Sequence, residues 1–245
     1  MAYMNNAGMA TYNGDFGTRN VMPSKDGTGI QRYEYFEDFD AETDATGAVL
    51  WTLNTLSSGT LTGVAEHGGV LDVNAGAATD DQGVESAQPD SVGQVLVAAN
   101  RQIYCEIRAK RKLQSAGQFW GLAEVDAAAM GTANFEAKGI GFVCDAGTSA
   151  ITALDTITTA TASANSGEEV TADVATAMVN DDKYRVYGID ITGTGMVEFY
   201  IDGVLKATHT TNIPTGALVP TLCSVNSASA QSTLYVDYIY INATR

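Results

Sequence analysis

"VEFYIDGVLKATHTTNIP", residues 197–214, decides the fold. Val197, Phe199 and Ile201 point one way, Glu198 and Tyr200 the other, the period of a strand with one buried face. Asp202-Gly203 then interrupts. Between two alternating runs this pair predicts a type I′ turn, because both central residues need φ > 0. Val204 to Thr208 returns, with Val204 opposite Ile201. The stretch is a tight β-hairpin.

Working outward, the same texture recurs from Arg32 onward. "YEYFEDF" (33–39), "AVLWTL" (48–53), "GVLDV" (69–73), "QIYCEIRAK" (102–110) and "QFWGLAEV" (118–125) precede the hairpin. So do "GIGFVCDA" (139–146), "AITALDTI" (150–157) and "KYRVYGIDI" (183–191). "ALVPTLCSV" (217–225) and "STLYVDYIYI" (232–241) follow it. About a dozen strands with Gly, Asn, Asp and Ser between them predict a sandwich or barrel. Only 123–130 and 172–179 could hold a short helix, and 157–177 reads as a Thr/Ala/Ser-rich loop or edge. In the last strand, alternation puts Leu234, Val236, Tyr238 and Tyr240 on one face. Tyr235, Asp237, Ile239 and Ile241 take the other. Both faces read as covered, and Asp237 as a partly buried carboxylate that accepts hydrogen bonds.

The chain has 245 residues and a net charge of −16, with a pI of about 4.2. Such an acidic surface repels phosphate backbones and argues against direct nucleic-acid binding. No apolar run is long enough to span a membrane. The N-terminus lacks the basic and apolar regions of a secretory signal, so assembly in a cytoplasm is expected. Cys105, Cys144 and Cys223 lie in apolar contexts at long spacings and read as unpaired, buried hydrophobes.

Residues 1–31 differ. They are rich in Gly, Asn, Thr and Met, without sustained period. Such a segment cannot form its own core. It reads as an N-terminal arm, with residues 32–245 as the domain. Tyr3, Met4, Met9, Tyr12, Phe16 and Met22 are spaced apolar anchors suited to docking on a partner. A second candidate partner contact is the basic "RAKRK", with Arg108, Lys110, Arg111 and Lys112.

"GQFWGLAEVDAAAM", "KGIGFVCDAG" and the long run from "DDKYRVYGIDITGTG" to "STLYVDYIYI" carry a resemblance. As a set, and in this order, they resemble the concanavalin A-like jelly-roll modules of tailed-phage virion proteins. "EYFEDFDAETDATGAVLWTL" looks like the first strand of those modules. The resemblance covers roughly residues 33–242. It implies an all-β sandwich of two antiparallel sheets and a place on a phage virion. The expected function is capsid decoration on the outer head surface, after assembly in the host cytoplasm. The implied partners are the major capsid protein or other virion proteins, with a homo-oligomer, by analogy a trimer. The alternative is a carbohydrate-binding module of a head or tail fibre that aids host adsorption. Its glycan would meet Phe119, Trp120, Tyr187 and Tyr200.

Family-16 glucanases share this fold and carry Glu-x-Asp-x-x-Glu or Glu-x-Asp-x-Glu on a concave strand. Glu124 and Asp126 match the first two positions; Ala128 or Ala129 stands at the third. Retaining hydrolysis needs two carboxyl groups about 5 Å apart. The expectation is therefore that the chain is not an enzyme and has no catalytic residues. His67 and His209 fit neither a triad nor a zinc spacing and read as surface or turn histidines. No phosphate loop or EF-hand appears, so no cofactor or metal is expected. Some relatives hold calcium at a sandwich edge.

Overall fold

A computed structural model of the chain describes residues 3–4, 10–11, 32–39, 51–56, 58–64, 69–76, 83–89, 93–112, 116–125, 129–130, 137–144, 155–160, 168–171, 183–226 and 233–244. The hairpin forms as its sequence requires. Asp202 and Gly203 have φ of 49° and 79°, and Val204 stands opposite Ile201. The turn is clamped to the neighbouring strand. The Asp202 N–H donates to the Val186 carbonyl at 2.8 Å. The Val186 N–H donates to Asp202 Oδ1 at 2.9 Å.

Two compact units emerge, Met1–Ile30 and Gln31–Arg245. In the first, β1 (Tyr3–Met4) pairs antiparallel with β2 (Ala10–Thr11). The anchors Met9, Tyr12, Phe16 and Met22, and the side chains of Tyr3 and Met4, lie outside the described residues.

The second unit begins with β3 (Arg32–Glu37), β4 (Trp51–Leu56), β5 (Thr60–Val64) and β6 (Val70–Asn74). Then come β7 (Gly83–Pro89), β8 (Val95–Val97), β9 (Gln102–Lys112), β10 (Ala116–Glu124) and β11 (Gly139–Cys144). Next are β12 (Asp155–Ala160), β13 (Glu168–Thr171), β14 (Arg185–Thr192) and β15 (Met196–Ile201). Last are β16 (Val204–His209), β17 (Gly216–Asn226) and β18 (Thr233–Thr244). They form two eight-stranded antiparallel sheets. The first runs β13-β12-β11-β10-β17-β7-β4, with β8 also on β17. The second runs β16-β15-β14-β9-β18-β6-β5, with β3 also on β18. The all-β sandwich of two antiparallel sheets is thus as expected.

Alternation fills the space between the sheets. Trp120, Leu122 and Phe142 from the first sheet meet Tyr187, Phe199 and Ile239 from the second. Trp120 is edge-on to Tyr187 at 5.0 Å, and Phe142 edge-on to Phe199 at 5.7 Å. Such pairs add to simple area burial. A smaller cluster lies on the opposite face of the first sheet: Phe119, Ala123, Val143, Cys223 and Val225, covered by Ala129, Met130 and Ala137. All three cysteines are buried, and none forms a disulfide among the described residues.

Some expectations are corrected. In β18 the register against β9 shifts between Val236 and Tyr238. This bulge resets the alternation, as an extra unpaired residue must. Leu234, Val236, Ile239 and Ile241 all enter the core, and Tyr238 and Tyr240 turn to the other face. Residues 123–124 end a strand and start no helix; 172–179 lie outside the described residues. β5, β7 and β8 were not anticipated, nor β13, which lies within the expected loop 157–177. Their short or polar runs carry no clear alternation. His209 is no surface residue: it is 1% exposed and lies edge-on to Phe199 at 5.0 Å. His67 lies outside the described residues. Among the described residues no helix is long and apolar enough to cross a membrane.

Candidate functional site

The outward face of the second sheet holds polar chemistry in cross-strand rows. Directly opposite residues in antiparallel strands have Cβ atoms about 4.5–5.5 Å apart, close enough to act together. One row runs Phe36, Tyr240, Glu106, Gly188, Tyr200. The next runs Glu34, Asn242, Tyr104, Asp190, Glu198. Five strands at about 4.8 Å spacing make this face about 19 Å across.

Glu106 is the hub. It is only 5% exposed. Its Oε1 accepts the Tyr238 hydroxyl at 2.7 Å, and its Oε2 accepts the Tyr104 hydroxyl. Burial, and then the Glu106 charge, push the Tyr238 hydroxyl well above the usual phenol range. So Tyr238 stays protonated and donates. The bulge at Asp237 delivers a second contact, an ion pair with Arg108 across the strands. The Arg108 guanidinium also lies 4.6 Å from the centre of the Tyr184 ring. Lys110 lies over the rings of Tyr184 and Tyr235, at 4.8 and 5.0 Å.

Beside the hub, Asp190 and Glu198 stand directly opposite one another on β14 and β15. Burial first, and then the Glu198 charge, raise Asp190 above the usual carboxylate range. The Tyr200 hydroxyl donates to Glu198 Oε2 at 2.9 Å. Burial and that hydrogen bond push it up to about 12. Tyr104, Tyr200, Tyr238 and Tyr240 are all half-buried. Part of each of these residues therefore reaches the surface. Carboxylates beside such rings can accept hydroxyl groups and stack on an apolar ring face. Among the described residues, no group of three or more His, Cys, Asp or Glu is placed to hold a metal ion.

No family model matches the chain, and no curated protein does. Solved structures do. The β-glucanase of Bacillus licheniformis superposes with a TM-score of 0.54 at 15% identity, over 85% of this chain and 97% of that one. The endo-1,3-β-glucanase of Streptomyces sioyaensis gives 0.57 at 12%, over 88% and 97%. A family-16 glycoside hydrolase of Bacteroides ovatus, solved with a product bound, gives 0.54 at 13%, over 84% and 99%.

The fold is the concanavalin A-like jelly roll.

These jelly-roll relatives in shape act on or bind glucans by their own descriptions. They also correct an expectation. The chain was expected not to be an enzyme, because the third acid of the glucanase pattern is absent. These three solved structures are β-glucanases or a family-16 glycoside hydrolase, so this chain shares its fold with glycosidases and the expectation that it is no enzyme is withdrawn. The pattern's residues are placed as follows. Glu124 ends β10; its Oε1 accepts the Lys138 N–H at 3.2 Å, and its carbonyl accepts Gln88 Nε2 at 2.8 Å. Asp126 and Ala128 lie outside the described residues, and Ala129 is buried in the smaller cluster.

Of the aromatics expected to meet a glycan, Trp120 and Tyr187 fill the space between the sheets, and Phe119 lies under Met130. All three are at most 2% exposed. They cannot stack on a sugar, because strand parity carries them into cores. Tyr200 alone sits on the polar face. The basic "RAKRK" run is divided by the same parity. Arg108 and Lys110 face outward. Arg111 turns inward, donating through Nε to Gln118 Oε1 at 3.1 Å and approaching the Trp120 ring at 6.0 Å. The Lys112 side chain lies outside the described residues. The run is therefore no single patch. Tyr104, Glu106, Asp190 and Tyr240 were missed. They alternate with core residues and look like ordinary outward strand positions; only the pairing of distant strands assembles them.

Proposed function

We propose that the chain recognises a carbohydrate on the outward face of its second sheet. The observation that supports this is the grid of half-buried tyrosines interleaved with Glu106, Asp190 and Glu198. A sugar offers an apolar C–H face to an aromatic ring and hydroxyl donors to carboxylates. The face offers both within two adjacent rows. The rings are held by hydrogen bonds and packing, which lowers the ordering cost of binding. The test is affinity electrophoresis of the whole chain through gels containing mixed-linkage β-glucan, laminarin or other glycans, beside a glycan array. One or more glycans should retard the protein. Tyr200→Ala should weaken that retention about tenfold, or about 1.4 kcal/mol. Absence of retention on every glycan would overturn the proposal, as would retention unchanged by Tyr200→Ala and Glu198→Gln together.

A second reading concerns where the protein serves. We infer a place on the virion of a tailed phage, as a decoration protein on the capsid exterior. This is supported by the ordered set of sequence resemblances across residues 33–242 and by the separate Met1–Ile30 unit. In this reading residues 1–31 dock on the major capsid protein. Mass spectrometry of purified virions should find the chain in stoichiometric ratio to the major capsid protein. Its absence from virions would sink the placement and leave glycan recognition standing.

A further inference from the structure

Sheet edges expose backbone groups that can pair with another strand, and proteins usually blunt them. Among the described residues, most strands at a sheet edge carry such a device. β3 contains Arg32, Glu34 and Glu37, and β13 contains Glu168 and Glu169. β16 carries Lys206 as the extra residue of a bulge, since Phe199 pairs with Ala207 and Tyr200 with Leu205. The ladder of β4 to β7 is broken by a bulge at Asn54/Thr55. β8 is only three residues long. β5 is different. Its five residues, Thr60-Leu61-Thr62-Gly63-Val64, pair with β6 in an unbroken register. It closes the order of the second sheet. It contains no charge and no proline, and no Asp, Glu, Lys or Arg occurs between Ala45 and Ala65. Thr60 and Thr62 are exposed, while Leu61 packs against the core.

We propose that β5 pairs antiparallel with β5 of a second copy of this chain, joining the second sheets across a two-fold axis. Two features of β5 favour a copy of itself as the occupant. The first is charge: the chain carries −16, so two copies repel except where an uncharged wall meets an uncharged wall. The second is the sequence of the strand, which is self-complementary about Thr62. Centring the pair there sets Thr62 opposite the partner subunit's Thr62, and Thr60 opposite the partner subunit's Val64. Leu61 then meets the partner subunit's Gly63. Thr–Thr and β-branched pairs are favourable cross-strand neighbours. The glycine leaves room for the leucine on the core-facing side. Each subunit gains main-chain hydrogen bonds on the side of β5 that pairs with no other strand among the described residues, the mode of recognition known as strand addition. The axis through Thr62 is two-fold and differs from the trimer implied by the sequence resemblance.

The test uses the full chain and two variants. Sedimentation equilibrium of the unmodified protein should show a monomer–dimer equilibrium with a micromolar dissociation constant. Thr62→Cys should form a disulfide-linked dimer under mild oxidation, because the two positions meet on the axis; Thr192→Cys, exposed on β14, is the control. Thr62→Lys places a cation opposite Asp72 within the fold but opposite its own copy across the axis. It should weaken the dimer about tenfold or more and leave the melting temperature of the monomer unchanged. The proposal is overturned if the protein stays monomeric at high micromolar concentration, if Thr62→Cys cross-links no faster than the control, or if a folded Thr62→Lys dimerises as before. Dimers that persist in Thr62→Lys would assign the contact to another surface.

Discussion

The two sheets of this jelly roll have opposite outward faces. On the first, β10, β11 and β17 present Phe119, Gly121, Ala123, Gly141, Val143 and Cys223, and the chain folds its own Met130 back over them. The approach is close: a Cβ on Gly141 would lie 2.5 Å from the Phe119 ring, and one on Gly121 2.3 Å from the Ile140 carbonyl. On the second, β9, β14, β15 and β18 present tyrosines and carboxylates joined by hydrogen bonds. One scaffold thus makes one outward face into a second small core and the other into a chemical surface. The difference comes from the outward parity alone. Inward residues of both sheets contribute to one apolar core. Where outward positions are Gly, Ala and Phe, burial is favourable and a covering segment is held. Where they are Tyr, Glu and Asp, burial is costly unless each polar atom finds a partner.

If the first face is truly a core, truncating its largest member must damage the fold. Phe119→Ala should cost about 3–5 kcal/mol, the range for deleting a buried aromatic. That corresponds to a fall of on the order of 10 °C in melting temperature. A loss within experimental error in a thermal melt would show that the covering segment does not pack as described. The polar face should respond less in stability and more in function. Tyr238→Phe removes one of the two hydroxyl donors to the buried Glu106 carboxylate. Hydrogen bonds to charged groups contribute about 1.5–3 kcal/mol, so a melting temperature lower by several degrees is expected, on the order of 5 °C. Glycan retention should fall in the same variant, whereas a folded Phe119→Ala should keep it. Reversal of that pattern would move the binding site to the first face.

Much of the fold was legible because period-2 alternation and the Asp202-Gly203 turn are local signals. The hairpin, β9, β14 and β17 follow from residues adjacent in sequence. The candidate face was not legible, and β18 shows why. Strict alternation in "LYVDYIYI" assigns the four positions from Tyr238 to Ile241 to the wrong faces, because a bulge at Asp237 adds one residue. That bulge depends on how β9 matches β18, and the strands lie more than a hundred residues apart. Glu106 likewise looks solvent-facing until β18 brings Tyr238 to it. Phe119 and Trp120 were legible as strand residues. Their assignment to two different cores required knowing that a later segment covers the outer one.

The smallest effect tests the electrostatics of the polar face. Asp190 and Glu198 are directly opposite, and burial together with the Glu198 charge raises Asp190 above its unfolded value. A carboxyl raised in the folded state binds its proton more tightly there than in the unfolded chain. Its stabilising contribution is therefore present below the unfolded value, near pH 4, and is lost as pH rises through the folded value. At pH 8 the charged pair opposes folding. Asp190→Asn removes that repulsion and keeps the shape, so it should raise the melting temperature at pH 8. Like charges directly opposite in a sheet cost about 0.2–1 kcal/mol, so the gain is at most about 4 °C. The gain should shrink as pH falls and vanish below about pH 4, where the wild-type carboxyl is itself neutral. A melting temperature that drops at pH 8 on this substitution would mean that the Asp190 charge is used within the face. The pair would then have to be reassigned from a tolerated repulsion to a fixed part of the hydrogen-bonded grid.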